Sequence, residues 1–296
     1  MAEELSWTAW SVLDGFPKLA ARSLAELLDG GQAFRWNPAA DGVWRGIWSN
    51  HVVELKTGSD GRLRWRTPEI RGAGVTAVQL RSYLDVDPAF EQRMEVMPWR
   101  SDPHLARCIE SFPGLRILRQ PFDETLLCFL CSATKQIVQI KQIVELLAKR
   151  LGRELAPGFF RLPNWTELAS VSEAELRACL LGFRARYIHE TAQFLAGQPG
   201  WLAETQALPY AEAKARLCLL PGVGEKVADC VLLFGAGRME AFPVDVWIIK
   251  TMARRYGLES WKPVQIAHFG RVHFGANAGL AQQFLFAWER ETAKKK

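Results

Sequence analysis

Leu220-Pro221-Gly222-Val223-Gly224-Glu225-Lys226-Val227-Ala228-Asp229-Cys230 decides how the rest of this chain is read. A helical pattern over residues 210–219 precedes it, and another begins at Glu225. Two glycines one residue apart let a backbone turn tightly and approach a ligand closely. Because they stand immediately before a helix, the turn and first-turn N–H groups face outward as an anion site, reinforced by the helix dipole. A dinucleotide fingerprint needs Gly-x-Gly-x-x-Gly after a strand, but here a helix precedes and Val227 holds the third position. A phosphate-binding loop needs Lys followed by Ser or Thr, and Lys226 is followed by Val227. A helix–hairpin–helix gripping a nucleic-acid phosphate fits the flanking helices and the lack of side-chain bulk. An ordinary αα-hairpin with a glycine-rich turn stays open for this stretch alone.

Downstream lies Ala241-Phe242-Pro243-Val244-Asp245-Val246-Trp247. An aspartate just past a proline, where a new helix begins, reads as an N-cap. One helix and one loop separate it from Lys226, so both side chains can point into the cleft beside the hairpin.

The first hundred residues read as an antiparallel sheet, with strands at 32–36, 43–48, 51–56 and 62–66. Arg62-Leu63-Arg64-Trp65-Arg66 alternates, placing Leu63 and Trp65 on one face and three arginines on the other. Strict alternation means one covered and one wet face, and short connections mean hairpins. From 76 to 84 the period is helical, and from about residue 104 almost everything is. Segments 122–131 and 137–151 carry apolar residues at three- and four-residue steps. Ser172-x-x-Glu175 is a capping box opening a helix whose expected buried stripe is Leu176, Cys179 and Leu180. A last helix is expected over 278–289, and no internal repeat is present. The implied organisation is a β-rich domain over 1–120, a helical core over 121–290 and a basic tail over 291–296.

With 296 residues, the chain suits two domains sharing a sizeable core. A composition 49% hydrophobic and 23% charged excludes a largely disordered chain. No apolar run approaches the roughly 20 residues of a membrane-spanning helix. The acidic start Met1-Ala2-Glu3-Glu4 does not read as a secretory signal, so a soluble intracellular protein is expected. A net charge of +5 is compatible with a polyanion partner without demanding one. The six cysteines sit mostly in apolar helical patterns and read as reduced, buried thiols. Cys128-x-x-Cys131 lacks the second pair or nearby His of a zinc site, and no clustered run suits an iron–sulfur cluster.

The lysine-bearing hairpin, the Pro-containing loop and the aspartate together resemble the helix–hairpin–helix–GPD superfamily of base-excision DNA glycosylases. More closely, Gly31-Gln32-Ala33-Phe34-Arg35-Trp36, Leu115-Arg116-Ile117-Leu118-Arg119-Gln120, Gly182-Phe183-Arg184-Ala185-Arg186-Tyr187 and the Lys226–Asp245 block are similar, in order, to 8-oxoguanine DNA glycosylase/AP lyases. The resemblance covers roughly residues 20–290. It implies an α+β fold in which a TATA-binding-protein-like antiparallel β-domain packs on an all-α helix–hairpin–helix core, with the active site between the lobes. It also implies a bifunctional enzyme that excises 8-oxoguanine and nicks the strand. The expected partner is damaged double-stranded DNA, met by a monomer with no membrane, in a bacterial cytoplasm or nucleoid or a eukaryotic nucleus. A glycosylase for alkylated purines and a catalytically silent helix–hairpin–helix DNA-binding protein are the competing readings. Lys226 with Asp245 argues against silence, and Gly31 with Gln282 against alkylated bases.

The resemblance also implies roles. Lys226 is the nucleophile at the sugar C1′, and an amine attacks only when neutral. Asp245 stabilises the developing positive charge. Cys230, i,i+4 from Lys226 and so its neighbour, forms a dipole with it. A carbonyl at Gly31 accepts from the N7–H of the lesion, whereas guanine offers an acceptor there. Gln282 bonds the base edge and Phe286 stacks on its ring. Gly222 and Gly224 contact phosphate. No cofactor is required, but a structural monovalent or divalent cation is implied on the carbonyls of Cys218, Leu220 and Val223. Trp247 replaces a usual histidine, which puts a phosphate contact there in question. Phe183 and Arg184 match the pair that intrudes where the flipped nucleotide left. After Ser132-Ala133, Thr134 and Gln139 stand where an asparagine and an arginine usually plug the gap and read the orphaned cytosine. Weaker discrimination of the opposite base is expected.

Overall fold

The computed structural model describes residues 5–70, 72 and 74–294. The acidic start at residues 1–4 and the tail residues Lys295 and Lys296 lie outside the described residues. Strand β1 (Ser11–Val12), helix α1 (Ala21–Asp29) and strands β2 (Trp36–Pro38), β3 (Trp44–Trp48), β4 (His51–Thr57) and β5 (Leu63–Arg66) open the chain. The strands form one antiparallel sheet in the order β1-β5-β4-β3-β2. Trp48 pairs with His51 across a two-residue loop, as the Ser49-Asn50 turn predicts. On the arginine face of β5, Glu54 is buried between Arg45 and Arg66, so that face is lined with ion pairs.

Three departures from the sheet reading lie here. Strand β1 and helix α1 were not expected; the helix buries Leu24, Leu27 and Leu28 at helical spacing. Residues 32–35 do not form a strand, because the polar side chain of Gln32 is drawn into the core instead of the backbone joining the ladder. The Gln32 Nε2 donates to the Leu27 and Arg116 carbonyls at 3.2 and 3.1 Å, and its Oε1 accepts from the Leu118 N–H at 2.9 Å. Gln120 Nε2 returns a bond to the Gln32 carbonyl at 2.6 Å. The first two stretches of the family resemblance are thus stitched to each other.

Helices α2 (Ala77–Tyr83), α3 (Phe90–Glu95) and α4 (Pro103–Ser111) lead into α5 (Phe122–Leu130) and α6 (Ile137–Leu151). A small hairpin follows, β6 (Glu154–Ala156) and β7 (Phe159–Phe160), so the second half is not all-α. Helix α6 stops at Gly152, which is extended, and Pro157 with Gly158 at φ 80° connects the two strands. Phe159 and Ala156 then pack with Val52 of the first sheet. The chain continues through α7 (Trp165–Ala169), α8 (Glu173–Leu176), α9 (Arg184–Ala196), α10 (Trp201–Ala207) and α11 (Tyr210–Leu217). Helices α12 (Glu225–Ala236), α13 (Val246–Tyr256), α14 (Pro263–Phe274) and α15 (Ala278–Lys294) complete it.

Ser172 and Glu175 do form the capping box of α8. The helix then passes into a π turn, Arg177–Leu181, whose extra residue shifts the phase. Leu176 and Cys179 are buried as expected, but Leu181 takes the inner place and Leu180 is 59% exposed. At the C-terminus, α15 runs through residues read as a tail. Its charged positions are paired: Glu289 with Arg254, Arg290 with Glu26. One apolar core runs through both halves, including Leu27 of α1, Leu105 of α4, Leu126 of α5 and Phe284 of α15. Five of the six cysteines are buried free thiols, and Cys218 is half-buried.

Candidate active site and nucleic-acid interface

The α11–α12 hairpin is held from beneath. Asp229, buried on α12, accepts from Tyr210 Oη at 2.6 Å and from Lys214 Nζ at 3.1 Å, both on α11. Gly222 has φ 76°, and a Cβ there would fall 2.5 Å from Tyr187 Cδ2, so only glycine fits. Gly224 is the N-cap of α12 and supplies no side-chain cap. Space around its missing Cβ is open, which leaves first-turn amides free to meet an anion.

Lys226 sits in the first turn of α12, half-buried. Its Nζ donates to Ser132 Oγ at 3.5 Å and lies 5.3 Å from the centre of the Phe129 ring. Cys230 follows one turn later, where burial pushes its thiol up to about 12 while the adjacent Lys226 pulls the other way. The N-cap reading of Asp245 holds: Oδ1 accepts from the Trp247 and Ile248 N–H groups at 3.0 and 2.9 Å. Burial raises its carboxyl above the ordinary aspartate value, partly offset by those N–H groups and by Lys226. A carboxylate capping a helix and facing a lysine is poised as an electrostatic partner for positive charge.

Lys226 and Asp245 line one cleft of about 1580 Å³, together with Gly31, Cys230, Gln282 and Phe286. Gly31 has φ 98°, and a Cβ there would meet Ile137 Cδ1 at 2.9 Å and Phe286 Cε1 at 3.6 Å. The glycine therefore brings backbone against the aromatic ring with no side chain between. Gln282 is buried; its Nε2 donates to the Pro243 carbonyl at 3.0 Å and its Oε1 accepts from Gln283 at 2.7 Å. That leaves it one N–H and one oxygen lone pair for a ligand.

The residues expected to probe the gap are arranged differently. Thr134 is in the cleft lining and has φ 54°. Arg184 is not free to intrude: only 3% exposed, it donates to the Leu181 carbonyl at 3.1 Å, the Thr134 hydroxyl at 2.7 Å and the Ala133 carbonyl. Phe183, 50% exposed, is the member of that pair that stands out of the surface. Gln139 is exposed and outside the cleft lining; its Oε1 accepts the Gln136 N–H at 3.1 Å and caps α6. Trp247 lines the cleft, half-buried, with Lys250 Nζ 4.6 Å from its ring centre.

At the expected cation position, the Leu220 carbonyl accepts the Val223 N–H at 3.1 Å and keeps a second lone pair. Carbonyl oxygens suit a hard cation. Among the described residues no group of three or more His, Cys, Asp or Glu could hold a metal ion. Sequence reasoning missed Ser132 as the partner of Lys226. It also missed the Arg184–Thr134 bridge, whose ends are fifty positions apart and carry no shared periodicity.

Two family models match in succession. Residues 18–126 match the one described as 8-oxoguanine DNA glycosylase, N-terminal domain, and 127–270 the one described as HhH-GPD superfamily base excision DNA repair protein. The chain is 32% identical to the N-glycosylase/DNA lyase OGG1 of Arabidopsis thaliana, over 89% of this chain and 76% of that one. It is 28% identical to the probable N-glycosylase/DNA lyase of Methanothermobacter thermautotrophicus, over 76% and 82% respectively. The 8-oxoguanine glycosylase/lyase of Clostridium acetobutylicum, solved with double-stranded DNA containing cytosine opposite 8-oxoG, has a TM-score of 0.83 at 30% identity, covering 91% of this chain and 92% of that one. With its antiparallel sheet, lysine-bearing hairpin and facing aspartate, the chain belongs to the 8-oxoguanine DNA glycosylase family of the helix–hairpin–helix–GPD superfamily.

Proposed function

We propose that the protein flips 8-oxoguanine out of duplex DNA, excises it and nicks the strand through a Schiff base on Lys226. The observation that carries this is one cleft holding Lys226 and Asp245 together with the Gly31–Phe286 contact. A base inside a duplex is out of reach, so the nucleotide must be extruded. The Lys226 amine attacks through its nitrogen lone pair, forming an N–C1′ bond as C1′–N9 breaks, and the base leaves with its electron pair and then takes a proton. The nitrogen, now positively charged, loses a proton; its restored lone pair expels O4′, which takes a proton, giving the iminium. Loss of a C2′ proton then eliminates the 3′ phosphate and cuts the strand. Asp245 stabilises the positive charge that develops on the sugar.

The Gly31 carbonyl accepts the lesion's N7–H and repels the N7 lone pair of guanine. Phe286 stacks on the base, Gln282 uses its remaining donor and acceptor on the base edge, and Cys230 supplies a thiol dipole beside Lys226. Hairpin amides at Gly222 and Gly224 take the phosphate, with Trp247 flanking. A cation on the Cys218, Leu220 and Val223 carbonyls would add positive charge behind those amides. Among the described residues no helix is long and apolar enough to cross a membrane, and the protein acts on DNA as a monomer.

Duplexes carrying 8-oxoguanine, an alkylated purine or undamaged guanine, resolved with and without hot alkali, test this reading. Strand cleavage of the 8-oxoguanine duplex without alkali is expected. Cleavage restricted to the alkylated duplex would overturn the substrate, and cleavage only after alkali would overturn the lyase step.

A further inference from the structure

We propose that Ser132 is a positioning residue whose hydroxyl accepts an N–H of Lys226 and so turns the amine lone pair toward the sugar; this rests on the function proposed above. Lys226 Nζ donates to Ser132 Oγ at 3.5 Å, and the serine lies in the cleft lining, 7% exposed. That distance is long, as hydrogen bonds of catalytic sites commonly are before substrate closes them. The Ser132 hydroxyl proton is committed elsewhere: Oγ donates to the Phe129 carbonyl at 2.7 Å. A hydroxyl has one donor and two lone pairs, so Ser132 has only an acceptor left for Lys226. A neutral amine carries two N–H groups and one lone pair. Ser132 takes an N–H and cannot compete for the lone pair that attacks C1′. Nor does it serve as the base, because the carbonyl behind it has no use for a proton passed along.

Both partners are held in place by packing. Ser132 follows directly on α5, whose last turn buries Leu127, Cys128, Phe129 and Leu130. Helix α12, which carries Lys226, packs on α5 through Phe234 and Phe129, their rings stacked with centres 5.5 Å apart. Beyond Ser132, Arg184 holds the Ala133 carbonyl and the Thr134 hydroxyl. Serine at a helix end often bonds back to a carbonyl of its own turn, and that habit alone would explain the 2.7 Å bond. The Phe129 carbonyl, however, also accepts the Ser132 N–H at 3.0 Å, so removing the hydroxyl orphans no acceptor. What the hydroxyl adds is an acceptor at the nucleophile. Holding a nucleophile in attacking geometry raises the rate of attack. Once the N–C1′ bond exists, the covalent bond itself orients the nitrogen, and Ser132 has no further task.

The test compares wild type with Ser132→Ala, which deletes the hydroxyl, and Ser132→Cys, which keeps the shape but offers a poor acceptor. Each is given a duplex carrying 8-oxoguanine and one carrying a preformed abasic site, under single-turnover conditions at a series of enzyme concentrations. Rapid borohydride quenching reads imine formation, and strand nicking reads elimination from the imine. Both variants should form imine about tenfold more slowly at saturation, the scale of one net hydrogen bond. The half-saturating enzyme concentration should not change, and the imine once formed should nick at the wild-type rate. Imine formation at the wild-type rate in either variant would overturn the role of Ser132. So would a loss confined to the half-saturating concentration, or nicking slowed as much as imine formation, which would mean a displaced helix. A wild type that traps on the abasic duplex but leaves 8-oxoguanine in place would refute the proposed substrate, and the abasic duplex would still decide Ser132. A wild type that traps on neither would refute Lys226 as the nucleophile and Ser132 with it.

Discussion

Two walls of the site, the second reaching beyond the cleft lining, are built by different rules. On one, Lys226, Cys230 and Asp245 take their places from local backbone geometry: two residues one helical turn apart on α12, and the N-cap of α13. On the other, residues 132–139 and 177–184 hold non-glycine positions in left-handed backbone at Thr134 and Leu180. There an arginine is buried by partners fifty positions away, and a glutamine is turned back onto its own helix. The first wall carries groups suited to covalent chemistry and the second positions the groups around them. Chemistry that depends on helical phase tolerates little drift, while the positioning wall can be rebuilt with other side chains around the same carbonyls.

The largest effect should come from the first wall. Lys226→Gln is expected to abolish borohydride trapping of protein on 8-oxoguanine duplex while binding survives, because only an imine is reducible. Persistent trapping would move the nucleophile elsewhere and break the comparison. Asp245→Asn should slow single-turnover excision by about 10²–10³, the range for removing one preorganised electrostatic partner. Folding should be nearly unaffected, since Asn caps about as well as Asp. Because burial raises the Asp245 carboxyl, activity that needs it ionised should fall with decreasing pH at values above the ordinary aspartate range. A pH–rate profile of the Asn variant should lack that limb.

The second wall should respond first in stability. Arg184→Ala leaves the Leu181 and Ala133 carbonyls and the Thr134 hydroxyl without their shared donor. A loss of about 2–3 kcal/mol is expected, the scale of a charged hydrogen bond removed from a buried acceptor, and denaturant unfolding measures it. An unchanged midpoint would mean the bridge is not holding the loop. The smallest effect concerns the opposite base. With Thr134 bonded to Arg184 and Gln139 capping α6, excision opposite the four bases should differ by no more than about tenfold. Gln139→Arg should raise the preference for cytosine, by up to about 1–3 kcal/mol if the fork finds its partner. Strict cytosine dependence in wild type, unchanged by the arginine, would show that this wall reads the base by other side chains.

What the sequence determined by itself follows from how far each interaction reaches along the chain. The hairpin turn, the Ser172–Glu175 capping box and the phase that sets Cys230 beside Lys226 depend on residues two to four apart, and all are present as written. Strands β3, β4 and β5 were legible because alternation is a local pattern; the two-residue β1 is too short to show one, and at 32–35 Gln32 turns inward to bond Arg116 and Leu118. Only tertiary structure decided that Leu180 stands out while Leu181 goes in, since a π turn shifts the phase by an amount no periodicity announces. It alone decided that Arg184 spends its donors inside the protein and that Gly31 meets Phe286 across more than 250 positions. A donor's partner is chosen by which acceptors packing leaves within about 3 Å, and that choice exists only once the core has closed.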